Sequence, residues 1–251
     1  MILEGKVAIV TGAGQGIGRG VALALAHEGA AVAIPEINFE AATAVANEVK
    51  DFGGKALAIA CDVGKREEVN AALARTIQEF GTIDILINNA QAARAGINIE
   101  DETDEGWNRT FQSGVNGTFY FMQACFPYMK QKGGKIINFA STAGTNGLEG
   151  MSAYAANKEA IRGLSRVAAH EWGQYNINVN VILPWATSVL WEQFQQANPE
   201  LAAASVAQNP MRRIGDPQKD VGRVAVFLAG PDSDFVNGLN IPVDGGQTVL
   251  R

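Results

Sequence analysis

The sequence predicts a single doubly wound α/β domain, a parallel sheet of about seven strands with helices on both faces. Three observations predict it. Short β-rich runs alternate with longer helical runs along the whole chain. The strand-like runs are continuously apolar, as strands covered on both faces must be. No linker, repeat or low-complexity tract divides the 251 residues, a length that one large domain can fill.

The elements follow in order. KVAIV (6–10) reads as a buried strand, and IGRGVALALAHEG (17–29) has helical apolar spacing up to a closing glycine. AAVAIPE (30–36) is a second strand, and FEAATAVANEVKDFGG (39–54) a helix ended by glycines. KALAIACDV (55–63), a helix from about Lys65 to Phe80 and IDILINNA (83–90) continue the rhythm. A long helix is expected over roughly Asp104–Met129, then the strand GKIINFAS (134–141) and a helix carrying Tyr154. The strand INVNVILP (177–184), a polar-aromatic insertion at about 185–210, a helix near 217–229 and NIPVD (240–244) complete the chain.

Composition narrows the function. Lys and Arg number 20 against 26 Asp and Glu, a net charge of −6, which argues against nucleic acid or an anionic membrane as partner. Apolar residues at 47% and charged residues at 18% supply an ordinary core. Cys61 and Cys125 are the only cysteines, and His27 and His170 the only histidines. Neither a disulfide framework nor a Cys/His metal site can be built from them, and both histidines read as packing residues. The start MILEGKVAIV has neither the basic opening nor the small-residue cleavage site of a signal peptide. With no apolar run of about 18 residues to span a bilayer, a cytoplasmic protein is expected.

TGAGQGIG (11–18) lies between the first strand and the first helix, the context a phosphate-cradling loop requires. Gly12 permits the sharp turn, while Gly16 and Gly18 let a pyrophosphate approach the free N–H groups of the helix. Gln15 and Ile17 complete the candidate cofactor loop. Glu36 ends the second strand, where a carboxylate accepts from ribose hydroxyls and repels a 2′-phosphate. Neighbouring Gln15 and Ile37 are neutral and bring no cation to attract that phosphate. The expected cofactor is NAD.

The chain resembles the short-chain dehydrogenase/reductase family of about 250 residues. The resemblance runs from Lys6 to Gly246 and rests on TGAGQGIG, CDV (61–63), NNA (88–90), Ser141, YAANK (154–158) and VDGG (243–246). It implies a Rossmann-like fold and an oxidoreductase that interconverts a secondary alcohol and a ketone. It further implies that Asp62 and Val63 flank the adenine, that Asn88 and Ala90 lie beside the cofactor, and that Ile182–Pro184 line the nicotinamide pocket. Asp62 also reads as a strand-end turn residue, and Asn88 as a structural bridge between strands.

Side-chain chemistry fills out the mechanism. Tyr154 is the general acid and base, but a phenol with an ordinary pKa near 10 is a poor base at neutral pH. Lys158, one helical turn on, is expected to favour the phenolate by about two pKa units. In the family this lysine also holds the nicotinamide ribose. Ser141 is positioned to hydrogen-bond the substrate oxygen as charge develops.

Three positions depart from the family pattern. Where a helix asparagine is usual, seven residues after Trp107, the chain has Gly114. The asparagine kinks the helix and its main-chain carbonyl holds a water in the lysine's relay; a glycine supplies the same carbonyl and eases the kink, so Gly114 stays a candidate and Gly114→Asn is expected to be tolerated or to improve the rate. Asn116, two residues on, would point elsewhere. Gln91 replaces the glycine after NNA, and Trp185 the glycine after Pro184. Trp185 either reshapes the nicotinamide pocket or packs in the core. The threonine that contacts the carboxamide would fall at Val189, with Thr187 and Ser188 nearby.

The substrate is expected between Ser141, Tyr154 and the insertion, where Trp185, Trp191 and Phe194 provide aromatic walls facing Leu148 and Met151. Such walls suit an apolar or cyclic alcohol or ketone, and the insertion suits a mobile lid. Arg94 could meet a substrate carboxylate, though a solvated loop residue is the simpler reading. The resemblance implies a homotetramer built through the Tyr154 helix, its predecessor and the C-terminal segment. Two other readings stand beside this one: a non-catalytic dinucleotide-binding relative, and an NADP-dependent reductase of 3-oxoacyl thioesters.

Overall fold

The computed structural model describes residues 1–248. Strands β1 (Val7–Val10), β2 (Ala31–Glu36), β3 (Ala56–Ala60), β4 (Ile85–Asn88), β5 (Gly134–Phe139), β6 (Ile177–Pro184) and β7 (Asn240–Val243) form one sheet in the order β3-β2-β1-β4-β5-β6-β7. Every pairing is parallel. The helices are α1 (Gly16–His27), α2 (Phe39–Asp51), α3 (Arg66–Phe80), α4 (Asp104–Phe111), α5 (Gly117–Met129), α6 (Thr142–Asn146), α7 (Ser152–Trp172), α8 (Val189–Ala197), α9 (Pro199–Gln208) and α10 (Arg223–Ala229).

Strand alternation divides the core between two faces. Ala8 and Val10 of β1 pack with α1, α2 and α10, whereas Ile9 packs with α3, α5 and α7. Each β1 side chain is at most 4% exposed, which explains why KVAIV shows no polar alternation. Local chemistry sets several helix ends. The Asn38 side chain accepts from Ala41 N–H at 3.1 Å to start α2, and Thr103 accepts from Gly106 N–H at 3.0 Å to start α4. Gly81 closes α3 in the left-handed region at φ +80°.

The strand order reverses beside β1, with β2 on one side and β4 on the other. Chains leaving those strands depart to opposite faces, and a crevice opens at the carboxyl ends of the strands.

One expectation needs correction, and one segment left without an element gains two helices. The helix foreseen over Asp104–Met129 is interrupted by a π-helical turn at Gln112–Asn116. The 185–210 insertion is largely helical, because Ser188 caps α8 by accepting from Trp191 N–H and Pro199 opens α9 at its first turn. Among the described residues, no helix is long and apolar enough to cross a membrane.

Candidate active site

A cleft of about 510 Å³ occupies the crevice. One end is the turn from β1 into α1. A Cβ at Gly12 would lie 2.7 Å from Ala90 Cα, and one at Gly18 would overlap the Gly12 carbonyl and the Asn89 amide. Only glycine permits this close winding. Asn89 fixes the turn by donating from Nδ2 to the carbonyls of Thr11 at 3.1 Å and Gly12 at 3.0 Å. Helix α1 has no side-chain cap and no acid in its first turn, so its N–H groups stay available for an anion. Glu36 accepts from Gly14 N–H at 3.1 Å and from Asn38 N–H at 3.2 Å. Its carboxylate is thereby held at the mouth of the loop. These features fit a dinucleotide.

Gly12, Gln15, Gly16, Ile17, Gly18, Glu36, Asp62, Val63, Ala90, Tyr154, Lys158 and Pro184 all line this cleft. Asp62 also accepts from Gly64 N–H at 3.0 Å, so it serves the strand-end turn as well. Asn88 does not line the cleft. It lies within the sheet and donates to Asn138 Oδ1 at 2.8 Å, while Asn138 donates to Ser165 Oγ at 2.8 Å. Its role is the bridge between strands, and the loop-holding amide is Asn89. The NNA motif contained both, but only the register showed which one faced the crevice.

The other end of the cleft holds the candidate proton-transfer group. Lys158 is 4% exposed, donates to the Phe139 carbonyl at 2.9 Å, and lies 5.5 Å from the centre of the Tyr154 ring. Burial lowers its amine from 10.5 to about 7. The Tyr154 phenol is raised above its ordinary value by burial, with an opposing pull from the Ser141 hydroxyl. The expected two-unit lowering of the phenol is therefore absent from the protein alone. Desolvation penalises both charged forms, and the lysine that would supply the field loses part of its own charge near neutral pH. Ser141 caps α6 by accepting from Ala143 N–H at 3.1 Å. That bond uses an oxygen lone pair and leaves the hydroxyl proton available to donate.

The insertion meets the cleft differently from the expectation. Pro184, Ser188, Val189 and Leu190 line it, whereas Trp185, Thr187 and Trp191 do not. Pro184 faces the cleft at the end of β6, so strand alternation turns Trp185 away. Trp185 instead meets Trp191 edge-on at 5.4 Å, and Trp191 meets Phe194 at 5.8 Å. Thr187 N–H donates to the Gly215 carbonyl at 3.0 Å, which anchors the root of the insertion. Leu148 is 56% exposed, and neither it nor Met151 lines the cleft. Arg94 lies 3.9 Å from Glu102. Arg109, which sequence reasoning passed over, lines the cleft; nothing in its local sequence marked it.

Gly114 is buried, and a Cβ there would overlap the Asn157 side-chain amide. The expectation that Gly114→Asn is tolerated is corrected on this ground: the space is already filled from α7. Asn116 donates to Gln112 Oε1 at 3.0 Å and takes no part in this contact. A second hollow, of about 690 Å³, lies at the amino ends of the strands. Lys132 pairs there with Asp84 at 2.6 Å and Lys135 with Asp234 at 2.7 Å, and none of the candidate residues reaches it.

The family model described as "Enoyl-(Acyl carrier protein) reductase" matches residues 12–248. A 12alpha-hydroxysteroid dehydrogenase of Clostridium sp. is 44% identical over 253 residues, covering 98% of each chain. A cyclohexanol dehydrogenase of Acinetobacter sp. is 36% identical over 97% of this chain and 95% of its own. Among solved structures, NAD+-bound xylitol dehydrogenase superposes with a TM-score of 0.92 at 35% identity, covering 98% of this chain and all of its own. A 7alpha-hydroxysteroid dehydrogenase complexed with NADH and 7-oxo glycochenodeoxycholic acid superposes with a TM-score of 0.87 at 34% identity, covering 97% and 94%.

Proposed function

The chain belongs to the short-chain dehydrogenase/reductase family and is an alcohol/ketone oxidoreductase, and on that premise we propose that it is an NAD-dependent dehydrogenase of cyclic secondary alcohols, hydroxysteroids foremost. The carrying observation is one continuous cleft with Glu36 at its dinucleotide end and Tyr154 with Lys158 at the other. The Glu36 carboxylate, held by Gly14 and Asn38 N–H groups, favours a free ribose over a phosphorylated one. The substrate class is supported by relatives named for steroid and cyclohexanol hydroxyls.

A bound nicotinamide dinucleotide supplies the hydride acceptor for oxidation and the hydride donor for reduction. The chain's own residues move the proton. Tyr154 Oη takes it from the alcohol, or returns it to the ketone oxygen. Lys158, fixed through Phe139, stabilises the phenolate when it carries its proton. The Ser141 hydroxyl donates to the substrate oxygen as negative charge builds there. Gly114 belongs to the site through the helix backbone beside Asn157. The protein acts on a small molecule, in the cytoplasm, as a homotetramer.

The test is the near-ultraviolet absorbance of reduced nicotinamide, followed with NAD or NADP and with 12α-hydroxysteroids or cyclohexanol. Turnover is expected with NAD, at a kcat/KM at least about tenfold above that with NADP. Tyr154→Phe should lower turnover by about a thousandfold or more while dinucleotide affinity holds within about threefold. Tight NAD binding without turnover of any alcohol would favour the non-catalytic reading, and comparable use of NADP would overturn the role given to Glu36.

A further inference from the structure

Two departures from the family pattern, Gly114 and Gln91, meet Asn157, the residue before Lys158, in one buried contact. Asn157 is fully buried and both ends of its amide are engaged. Its Oδ1 accepts from Val115 N–H at 2.8 Å, and its Nδ2 donates to Gln91 Oε1 at 2.7 Å. Gln91 Nε2 then donates to the carbonyls of Ala92 at 2.7 Å and Thr110 at 3.1 Å. Val115 lies inside the π-helical turn. A wider turn breaks the regular ladder and frees backbone groups, and a buried N–H without a partner is costly. Asn157 and Gln91 satisfy these groups from outside the helix. Gly114 makes room for them, since a side chain there would overlap the Asn157 amide.

We propose that Asn157 is a positioning residue for the Tyr154–Lys158 pair, acting as one unit with Gly114 and Gln91 to lock α7 against the π-helical turn. The proposal rests on the reading of Tyr154 and Lys158 as the proton-transfer pair. Asn157 directly precedes Lys158 and follows Tyr154 by three residues. Fixing its amide therefore fixes the helical turn that carries both groups. Gln91 extends the lock to the loop after β4, which lines the dinucleotide cleft. The unit thus joins the floor of the cofactor site to the helix that moves the proton. Lys158 stays aimed at the Phe139 carbonyl because the turn bearing it cannot roll about the helix axis.

A double-mutant exchange with kinetic and stability readouts tests this. Gly114→Asn alone should lower the melting temperature and kcat. Gly114→Asn with Asn157→Ser, which moves the amide from α7 to the π-helical turn, should recover most of both. Asn157→Ala should lower kcat about tenfold, leave KM for NAD within about twofold, and displace the pH–rate profile by about half a unit or more. The pH dependence of stability registers Lys158 without turnover, and Asn157→Ala should shift it relative to the parent. A parent inactive on every alcohol would fell the reaction assigned above; the stability shift would still uphold the positioning role. Asn157→Ala with a parental kcat and unmoved pH profiles would overturn the proposal, even with a lowered melting temperature. So would a double variant no better than Gly114→Asn.

Discussion

At Lys158 an amine is withdrawn from water and given one carbonyl, that of Phe139, as its hydrogen-bond acceptor. Desolvation brings its pKa from 10.5 down to about 7, and the sign of the consequence follows from proton counting. Between those two values the unfolded chain holds a proton that the folded chain has released. Raising the pH through that window therefore stabilises the folded state, by at most about 1.4 kcal/mol per pH unit. Below the window both states are protonated, and the folded state bears the whole cost of a buried cation. Lys158→Met removes that cost. Urea unfolding of the protein without cofactor should show the variant's relative stability greatest near about pH 6 and declining by about pH 9. A constant difference across that range would mean that the amine keeps its ordinary value. The pairing of Tyr154 with Lys158 was legible as a spacing of four residues, but the direction of their titration was not. Spacing gives the distance between two charges; burial decides whether the charges exist, and burial comes from elements distant in the chain, among them β5 with its Phe139 carbonyl.

The elements divide in the same way. β1 and β2 were readable because strands covered on both faces write long apolar runs into the sequence, and β6 because Val179, Val181, Ile182 and Leu183 keep it largely apolar despite Asn178 and Asn180. The π-helical turn was not readable, because QSGVN carries no local signal for a widened turn; its support comes from Asn157 and Gln91, distant in the chain. The helices of the insertion were not legible because its aromatic residues gather on one another rather than on the core. Helix α8 begins over the glycine loop, where a Cβ at Gly16 would lie 3.7 Å from Ser188 Cα and 3.9 Å from Val189 N. The Ser188 hydroxyl accepts from Trp191 N–H at 3.2 Å, and this cap holds the first turn of α8 in place. Ser188→Ala should destabilise α8 by about 1 kcal/mol. Faster backbone hydrogen exchange in residues 189–197 should report it, and KM for NAD should rise by about threefold or more with kcat less affected. Unchanged exchange with an altered KM would point instead to direct contact between the hydroxyl and the cofactor.

For the whole molecule, apolar surface is the guide to assembly. Helix α5 is apolar on nearly every side, as a helix enclosed by protein is, yet Phe119 and Tyr128 are 39% and 41% exposed. Val167 of α7, on the same face of the sheet, is 55% exposed. A second apolar region lies by the β7 edge, with Phe227 of α10 at 44%, Leu239 at 51% and Phe235 fully exposed. β7 pairs with β6 and ends the sheet, and an open sheet edge invites a partner. Two separate self-complementary patches generate two twofold axes, which is how a closed tetramer of identical chains is built. The C-terminal residues 249–251, part of the segment expected to contribute, lie outside the described residues. Light scattering at micromolar concentration should give four times the chain mass. Val167→Asp and Leu239→Asp each place a charge in one patch only, so each should yield dimers, and the two together monomers. A monomeric parent would end the tetramer reading. A parent tetramer unmoved by both changes would place its interfaces elsewhere, and Phe119, Tyr128 and Phe235 would then be free surface rather than contact.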